Sequence, residues 1–274
     1  MGGTPRRIES PRNPEVREAR ALREKRARHR GLFLVEGPHL LEALLKEQAP
    51  HKKGRTALLK VFLTASFRAR YPGLMALLAR TGAEEVEVTG RVLDYLATTE
   101  SPQGVVGLAS LKEPRLEDVA LAGVTVVLDG LQDPGNVGAI IRTADAAGSD
   151  AVVLLEGTCD AYTDKALRAT AGSIFHLPVI HARRKTIARE LKERGLTLVA
   201  AHARAEASLF EAELPFPLAF VFGNEARGVS PALLEAAELA LRLPIPGRAE
   251  SLNVAASAAV FLYEAVRRGG RRTT

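Results

Sequence analysis

The sequence predicts an α/β protein of two units, the second built on a parallel sheet, and three observations predict it. Apolar, strand-like runs alternate with amphipathic helical segments at βαβ spacing along most of the 274 residues. VTVVLD at 124–129 is an uninterrupted β-branched run, typical of a buried parallel strand. A charged stretch with a proline, Pro114, lies between two such alternating regions. It sets the expected organisation as a first unit over 1–110, a linker over 111–122 and a second unit over 123–274.

In the first unit a charged helix is expected over 14–29, opened by Pro14. A short strand follows at Leu32–Val35. The next helix starts near Pro38, with Leu40, Leu41, Leu44 and Leu45 on one face. LKVFLT at 59–64 reads as a strand, Leu74–Ala79 as part of a helix, VEVT at 86–89 as a strand, VLDYLATT as a short helix and GVVGLAS at 104–110 as a strand. In the second unit the expected order is strand 124–129, helix Val137–Ala147 closed by Gly148, and strand 151–156. Then come a helix around Asp164–Thr170, strand FHLPVI, helix 186–194, strand TLVAAH, strand LAFVFG, helix 231–237, strand LALRLPI and a final helix over 252–267. In that last helix Leu252, Ala255, Ala256, Ala259, Val260 and Tyr263 recur at helical spacing and are expected to form its buried stripe.

A hydrophobic fraction of 46% suits a globular core, and no apolar run is long enough to predict a membrane-spanning helix. The first residues, MGGTPRRIES, lack the apolar centre of a signal peptide, so the cytoplasm is the expected location. One cysteine, Cys159, excludes an internal disulfide framework. His176 and His181 bracket a predicted strand without metal-ligand spacing, and no metal site is expected. Charge is concentrated: residues 1–30 hold ten Lys/Arg against four Glu, equal to the whole chain's net +6, and the remainder balances at 28 against 28. Such a basic segment, including Arg23, Arg26, Arg28 and Arg30, is the footprint of a nucleic-acid binder, although a solvated arginine-rich helix carries the same charge.

Three segments look chemical. LDGLQDPGNVGAIIRTADAAG (128–148) runs from a strand end through a Gly/Pro loop into a helix, with Asn136 at the expected N-cap and Arg142 one and a half turns further on. Loops at the carboxyl ends of parallel strands are where open α/β sheets bind ligands, but a capped helix with a surface arginine reads the same way. FVFGNEARGVS (220–230) sends a strand into Gly223-Asn224-Glu225, where glycine permits close backbone approach; a tight strand–helix turn capped by Ser230-Pro231 is the plainer reading. Neither loop is a Walker or dinucleotide fingerprint, which weighs against an NTPase or a dehydrogenase. LPIPGRAESLNVAASAAVFLYE places Glu250, Ser251 and Asn253 at the mouth of the last helix. Ser251 is the expected cap and Glu250 suits the positive helix end; Asn253 has no routine task there.

Taken in order, DPGNVGAIIRTADAAG, FVFGNEARG and LPIPGRAESLNVAASAAVFLYE resemble motifs 1, 2 and 3 of the SpoU/TrmH family of RNA ribose 2′-O-methyltransferases, in the SPOUT superfamily. They span 124–268. Through RNPEVREARALREKRARHRGLFLVEG and TESPQGVVGLA, the first unit resembles the family's L30e-like RNA-binding domain. Within the family the chain resembles the bacterial 23S rRNA branch that includes the thiostrepton-resistance methyltransferases. One departure is Ala226, where many members carry glycine.

The resemblance implies a catalytic domain with a deep trefoil knot that binds S-adenosyl-L-methionine, with Gly223, Leu243, Ile245 and Leu252 lining the cofactor site. It implies catalytic positions at Asn136, Arg142, Glu225, Ser251 and Asn253, with Arg142 binding phosphate or serving as base. It implies a homodimer through the catalytic domain, in which the arginine approaches the other subunit's site. Lys165 and Arg168 are further candidate contacts to ribosomal RNA. The expected activity is 2′-O-methylation of a ribose in rRNA, of the 23S kind. A tRNA ribose methyltransferase and a non-catalytic rRNA-binding assembly factor stay open as alternatives.

Overall fold

The computed structural model describes residues 6–23, 31–48 and 55–269. The chain divides into two compact units, 1–113 with 162–175, and 114–161 with 176–274. The segment 162–175, which the sequence reading placed in the second unit, therefore packs with the first.

The first unit is built on a mixed five-stranded sheet in the order β1-β4-β3-β5-β2 (β1 Arg6–Ile8, β2 Leu32–Glu36, β3 Thr56–Leu63, β4 Glu84–Val88, β5 Val105–Leu111). β4 runs parallel to β1 and β3, whereas β5 runs antiparallel to β3 and β2. Strand β1 was not expected, since three residues with two arginines carry no strand signal. Helix α1 (Pro14–Ala21) starts where Asn13 accepts from the Glu15 amide at 2.9 Å and proline fills the first helical position. Helix α2 (Pro38–Glu47) buries Leu40, Leu41, Leu44 and Leu45 as their spacing requires. Helices α3 (Ala65–Arg70), α4 (Pro72–Leu78) and α5 (Gly90–Leu96) complete the run before β5, and α7 (Asp164–Thr170) joins the unit from later in the chain.

The second unit is an all-parallel seven-stranded sheet in the order β10-β12-β9-β11-β6-β7-β8. β6 (Val124–Asp129) and β11 (Leu218–Gly223) form its centre, and every residue of both is buried. They are flanked by β7 (Ala151–Leu155), β8 (Val179–Ala182), β9 (Thr197–Ala201), β10 (Ala207–Ser208) and β12 (Leu239–Arg242). Alternation along β11 divides the two faces. Ala219 and Val221 share a core cluster with Ile187 and Leu191 of α9 (Arg184–Glu193) and Leu233 of α10 (Pro231–Ala236). Phe220 and Phe222 point the other way and meet Phe261 of α11 (Val254–Arg267) edge-on, at centroid distances of 5.3 and 5.6 Å.

That aromatic contact sets the rotation of α11 and corrects the expected stripe. Ala258, Phe261, Leu262 and Ala265 are buried. Leu252, Val260 and Tyr263, expected inside, are instead 46%, 36% and 53% exposed. Beyond β7 the chain forms helix α8 (Ser173–His176) where the sequence reading began a strand, and β8 starts only at Val179, after Pro178. Among the described residues no helix is long and apolar enough to cross a membrane.

Candidate active site

Helix α6 (Pro134–Ala146) begins at the carboxyl end of β6, one turn earlier than the sequence reading held. Asp133, not Asn136, is its N-cap: the carboxylate accepts from the Asn136 amide at 3.0 Å, and Pro134 occupies the first helical position. The side chain of Asn136 is thereby free of capping duty. Its Nδ2 donates to Glu225 Oε1 at 3.1 Å, and its Oδ1 accepts from Asn253 Nδ2 at 3.0 Å. Asn253 in turn is the N-cap of α11, with Oδ1 accepting from the amides of Ala255 and Ala256 at 2.9 and 3.3 Å. The expected cap, Ser251, precedes the helix. Asn253 thus has the routine task that the sequence reading denied it, and a second one besides.

This chain of groups has only one self-consistent orientation. Glu225 as a carboxylate can only accept, and the helix amides of α11 can only donate. The amide groups of Asn136 and Asn253 must therefore point as described, each with one N–H left over. Glu225 also accepts from the backbone amides of Gln132 and Asp133 at 3.1 and 3.2 Å, so it ties the loop after β11 to the loop after β6. Burial acts to raise its pKa, but the amides of Gln132 and Asp133, its own backbone and the Asn136 side chain outweigh it and hold the carboxyl below its ordinary value.

The loop after β11 is a tight turn. Asn224 and Gly228 exchange backbone hydrogen bonds at 3.0 and 2.8 Å, and Asn224 Oδ1 accepts from the amides of Ala226 and Arg227. Gly228 has φ +72°, and a Cβ on Gly223 would lie 2.0 Å from the Gly228 carbonyl carbon and the Val229 nitrogen, so both positions require glycine. Asn224 Nδ2 donates to Gly130 O at 2.8 Å, a second tie to the first loop. Beneath it, buried Asp129 accepts from Arg184 Nε at 2.6 Å and from the Ser230 amide at 2.8 Å. Asn224, Gln132, Asp133 and Asp129 were not singled out in the sequence. Asp133 was legible, since Asp-Pro is an N-cap followed by a first-turn proline.

Against these loops lies a cavity of about 370 Å³. Buried Phe222, Leu241 and Phe261 form its floor, and exposed Ser251, Leu252 and Asn253 its rim. Gly223, Leu243, Ile245 and Leu252, the positions implied for the cofactor, all line it, together with Glu225, Ser251 and Asn253. Asn136 and Arg142 do not: Asn136 reaches the lining through its hydrogen bonds to Glu225 and Asn253, and Arg142 lies exposed on α6, with no hydrogen bond or ion pair among the described residues. Cys159 sits near the first loop, its thiol pushed up to about 11 by burial and by the nearby Asp160, Asp133 and Glu225 carboxylates, which keeps it protonated and unreactive at neutral pH.

The candidate RNA contacts have different fates. Arg23 is buried, donating to Leu96 O at 2.7 Å and to Glu36 at 3.0 Å and pairing with Asp164; it is a structural cation rather than a free phosphate ligand. Arg26, Arg28 and Arg30 lie outside the described residues. Lys165 and Arg168 are exposed on α7.

Comparison with known proteins gives the same picture. Residues 123–263 match the SpoU rRNA Methylase family and residues 13–107 the MRM3-like substrate binding domain. The 23S rRNA (guanosine(2553)-2′-O)-methyltransferase RlmP of Bacillus subtilis is 36% identical, over 94% of this chain and 98% of its own. Among solved structures, an AdoMet-bound rRNA methyltransferase from Sinorhizobium meliloti superposes with a TM-score of 0.86 at 30% identity, over 97% of this chain and 99% of that one. The SpoU methyltransferase AviRb from Streptomyces viridochromogenes, in complex with AdoMet, gives 0.83 at 26%, over 94% and 98%. With its second and third motifs lining one cavity, its first tied to both through Asn136, and relatives aligned over nearly their full length, the chain belongs to the SpoU rRNA methylase family of S-adenosylmethionine-dependent RNA ribose 2′-O-methyltransferases.

Proposed function

We propose that the protein methylates the ribose 2′-hydroxyl of a guanosine in 23S rRNA, the one that corresponds to position 2553 named for its Bacillus relative. The observation that carries this reading is the cavity beneath the Asn136–Asn253–Glu225 chain. It suits S-adenosylmethionine: apolar Phe222, Leu241, Leu243 and Ile245 offer walls for an adenine, and the Gly223 backbone lies open to it. Bound there, the cofactor supplies a methyl group already activated by its sulfonium charge. The protein's own task is to hold the ribose in line and manage one proton.

Each residue then has a part. Glu225, with its acceptor positions engaged by the loop after β6, is a positioning residue that fixes Asn136. Asn136 and Asn253 each present one unused N–H to the ribose, and Ser251 offers a hydroxyl at the rim. Arg142, exposed and unpartnered among the described residues, holds the target phosphate and eases departure of the hydroxyl proton. It does so at the site of a second subunit, since it lies off the cavity of its own. Exposed Val260 and Tyr263 of α11, with Phe210 at 51% exposure, supply the apolar surface for such a homodimer. The cofactor loops are threaded as the family's deep trefoil knot. The first unit and the basic 1–30 segment engage the rRNA, and the enzyme works in the cytoplasm.

Incubation with methyl-labelled S-adenosylmethionine and, separately, unmodified 23S rRNA, 16S rRNA and total tRNA tests this. Label in 23S rRNA alone, lost in Arg142→Ala, is expected. Label in tRNA alone would keep the chemistry and overturn the substrate; none in any RNA would overturn the enzyme.

A further inference from the structure

The first unit has a cavity of its own, away from the methylation site and lined in part by the LFLVEG and TESPQG segments of its sequence. Its volume is about 520 Å³, inside the roughly 300–1,000 Å³ range of small-ligand pockets. It lies between the start of α2 and the segment after α5, and α7 closes one side.

Its lining is mixed in a particular way. Glu36 is at the floor, but it is not a free charge. Its Oε2 accepts from Arg23, the Thr98 amide and the Thr98 hydroxyl, and its Oε1 from the Thr99 amide and hydroxyl. Burial works to raise that carboxyl, and the Thr99 and Thr98 donors and Arg23 more than offset it, so it stays ionised and spent. The groups that remain available are the exposed side chains of His39, Ser101, Gln103 and Arg168, with Leu40 and Ala171 as apolar wall. Among the described residues Arg168 donates from Nη1 to the Thr98 hydroxyl at 3.1 Å, leaving most of its five-donor guanidinium unspent. Two residues of the lining have positive φ. Gly37 has φ +92°, and a Cβ there would stand 3.6 Å from the Gln103 side chain. Ala171 has φ +49°, and it is the one non-glycine residue with positive φ among the described residues. Strain of this kind persists where surrounding structure enforces it, and it gathers at ligand sites.

An imidazole and an aliphatic wall, an amide and a hydroxyl, and an outward guanidinium match the three parts of one nucleotide. The ring offers stacking, the amide and hydroxyl can read a base edge, and the guanidinium fits a phosphate. We propose that this cavity binds a single unstacked nucleotide of the substrate RNA, with its base against His39 and Leu40, its edge read by Gln103 and Ser101, and its phosphate on Arg168. The inference rests on the rRNA substrate proposed above and adds to it a site where sequence is read away from the methylated ribose.

Two measurements on the full chain test it. The first needs no RNA: the C–H signals of His39, assigned by loss in His39→Ala, are followed by NMR during titration with AMP, GMP, CMP and UMP, and with inorganic phosphate. A saturable shift with at least one nucleotide, absent with phosphate and lost in Arg168→Ala, is expected. No shift, or an equal shift with phosphate alone, overturns the proposal. The second is steady-state methylation of a 23S rRNA transcript at saturating S-adenosylmethionine. His39→Ala and Gln103→Ala are expected to raise the KM for RNA about tenfold, the scale of one lost base contact, with cofactor affinity unchanged. A KM within twofold of wild type in both overturns it. If wild-type protein leaves 23S rRNA unmethylated, the substrate reading fails, and the titration still decides the cavity by itself.

Discussion

Asn253 has two separable tasks, and a substitution can divide them. Asn253→Ser keeps an oxygen for the α11 cap and removes the donor to Asn136. Its unfolding midpoint is expected to stay close to wild type, while methyl transfer falls at least tenfold, about the value of one positioned polar group. Asn253→Ala removes both and should also cost about 1 kcal/mol of stability, readable in urea unfolding. Gly223→Ala forces a methyl into the Gly228–Val229 backbone, so S-adenosylmethionine binding measured by calorimetry should be lost along with stability. At this scale the sequence was legible where local chemistry is self-contained. Gly223, Glu225, Ser251 and Asn253 could be picked out and do meet at one cavity. Hydrogen-bond direction was not legible, because it is set across loops: Asn136 loses its expected capping task to Asp133, and Asn253 takes the one expected of Ser251. Arg23 shows the same limit. Its charge was plain in the sequence, but its burial against Glu36 and Asp164 depends on a segment some 140 positions later.

Among the elements, α11 shows what periodicity can and cannot decide. It carries two apolar stripes, and spacing alone does not say which meets the sheet. Phe220 and Phe222 settle the matter by packing on Phe261. The end of the same helix is fixed by Glu264, which accepts from Arg267 at 2.7 Å and Arg268 at 2.6 Å; Arg268 reaches on to the carbonyls of Leu209, Phe210 and Ala212. The hydrogen bond from Arg267, opposed by burial and helped by Arg268, holds the Glu264 carboxyl down at about 2. A depressed carboxylate stabilises the fold above its unfolded pKa of about 4.3, and that contribution is lost as pH falls toward the folded value. Glu264→Gln is therefore expected to be less stable than wild type by about 2 kcal/mol at neutral pH, allowing for solvent screening at exposed Arg267, and the difference should vanish near pH 2 in an acid-unfolding series. Strands β6, β7, β9 and β11 could be read directly from their apolar runs, whereas their order in the sheet, β9-β11-β6-β7, could not. The helical Ser173–His176 and the two-residue β10 could not, since their form depends on the neighbours they pack against.

For the whole molecule, the division into a basic first unit and a parallel-sheet second unit was readable from charge and alternation. The packing of 162–175 with the first unit was not, because nothing local marks a segment that leaves its neighbours. On the shared-site dimer proposed above, Val260→Asp with Tyr263→Asp should yield a monomer by sedimentation and lose methyl transfer, because Arg142 would then have no second site to serve. A variant that stays dimeric, or a fully active monomer, would sink the shared-site reading. The central claim, that the cavity beneath Asn136, Glu225 and Asn253 serves ribose methylation, has a direct chemical readout. A 2′-O-methyl group protects the adjacent phosphodiester from alkaline hydrolysis, whereas a methyl on a base does not. Labelled 23S rRNA should therefore yield a single alkali-resistant dinucleotide carrying the label on a guanosine ribose. Label released entirely as alkali-labile, base-methylated mononucleotide would contradict the account.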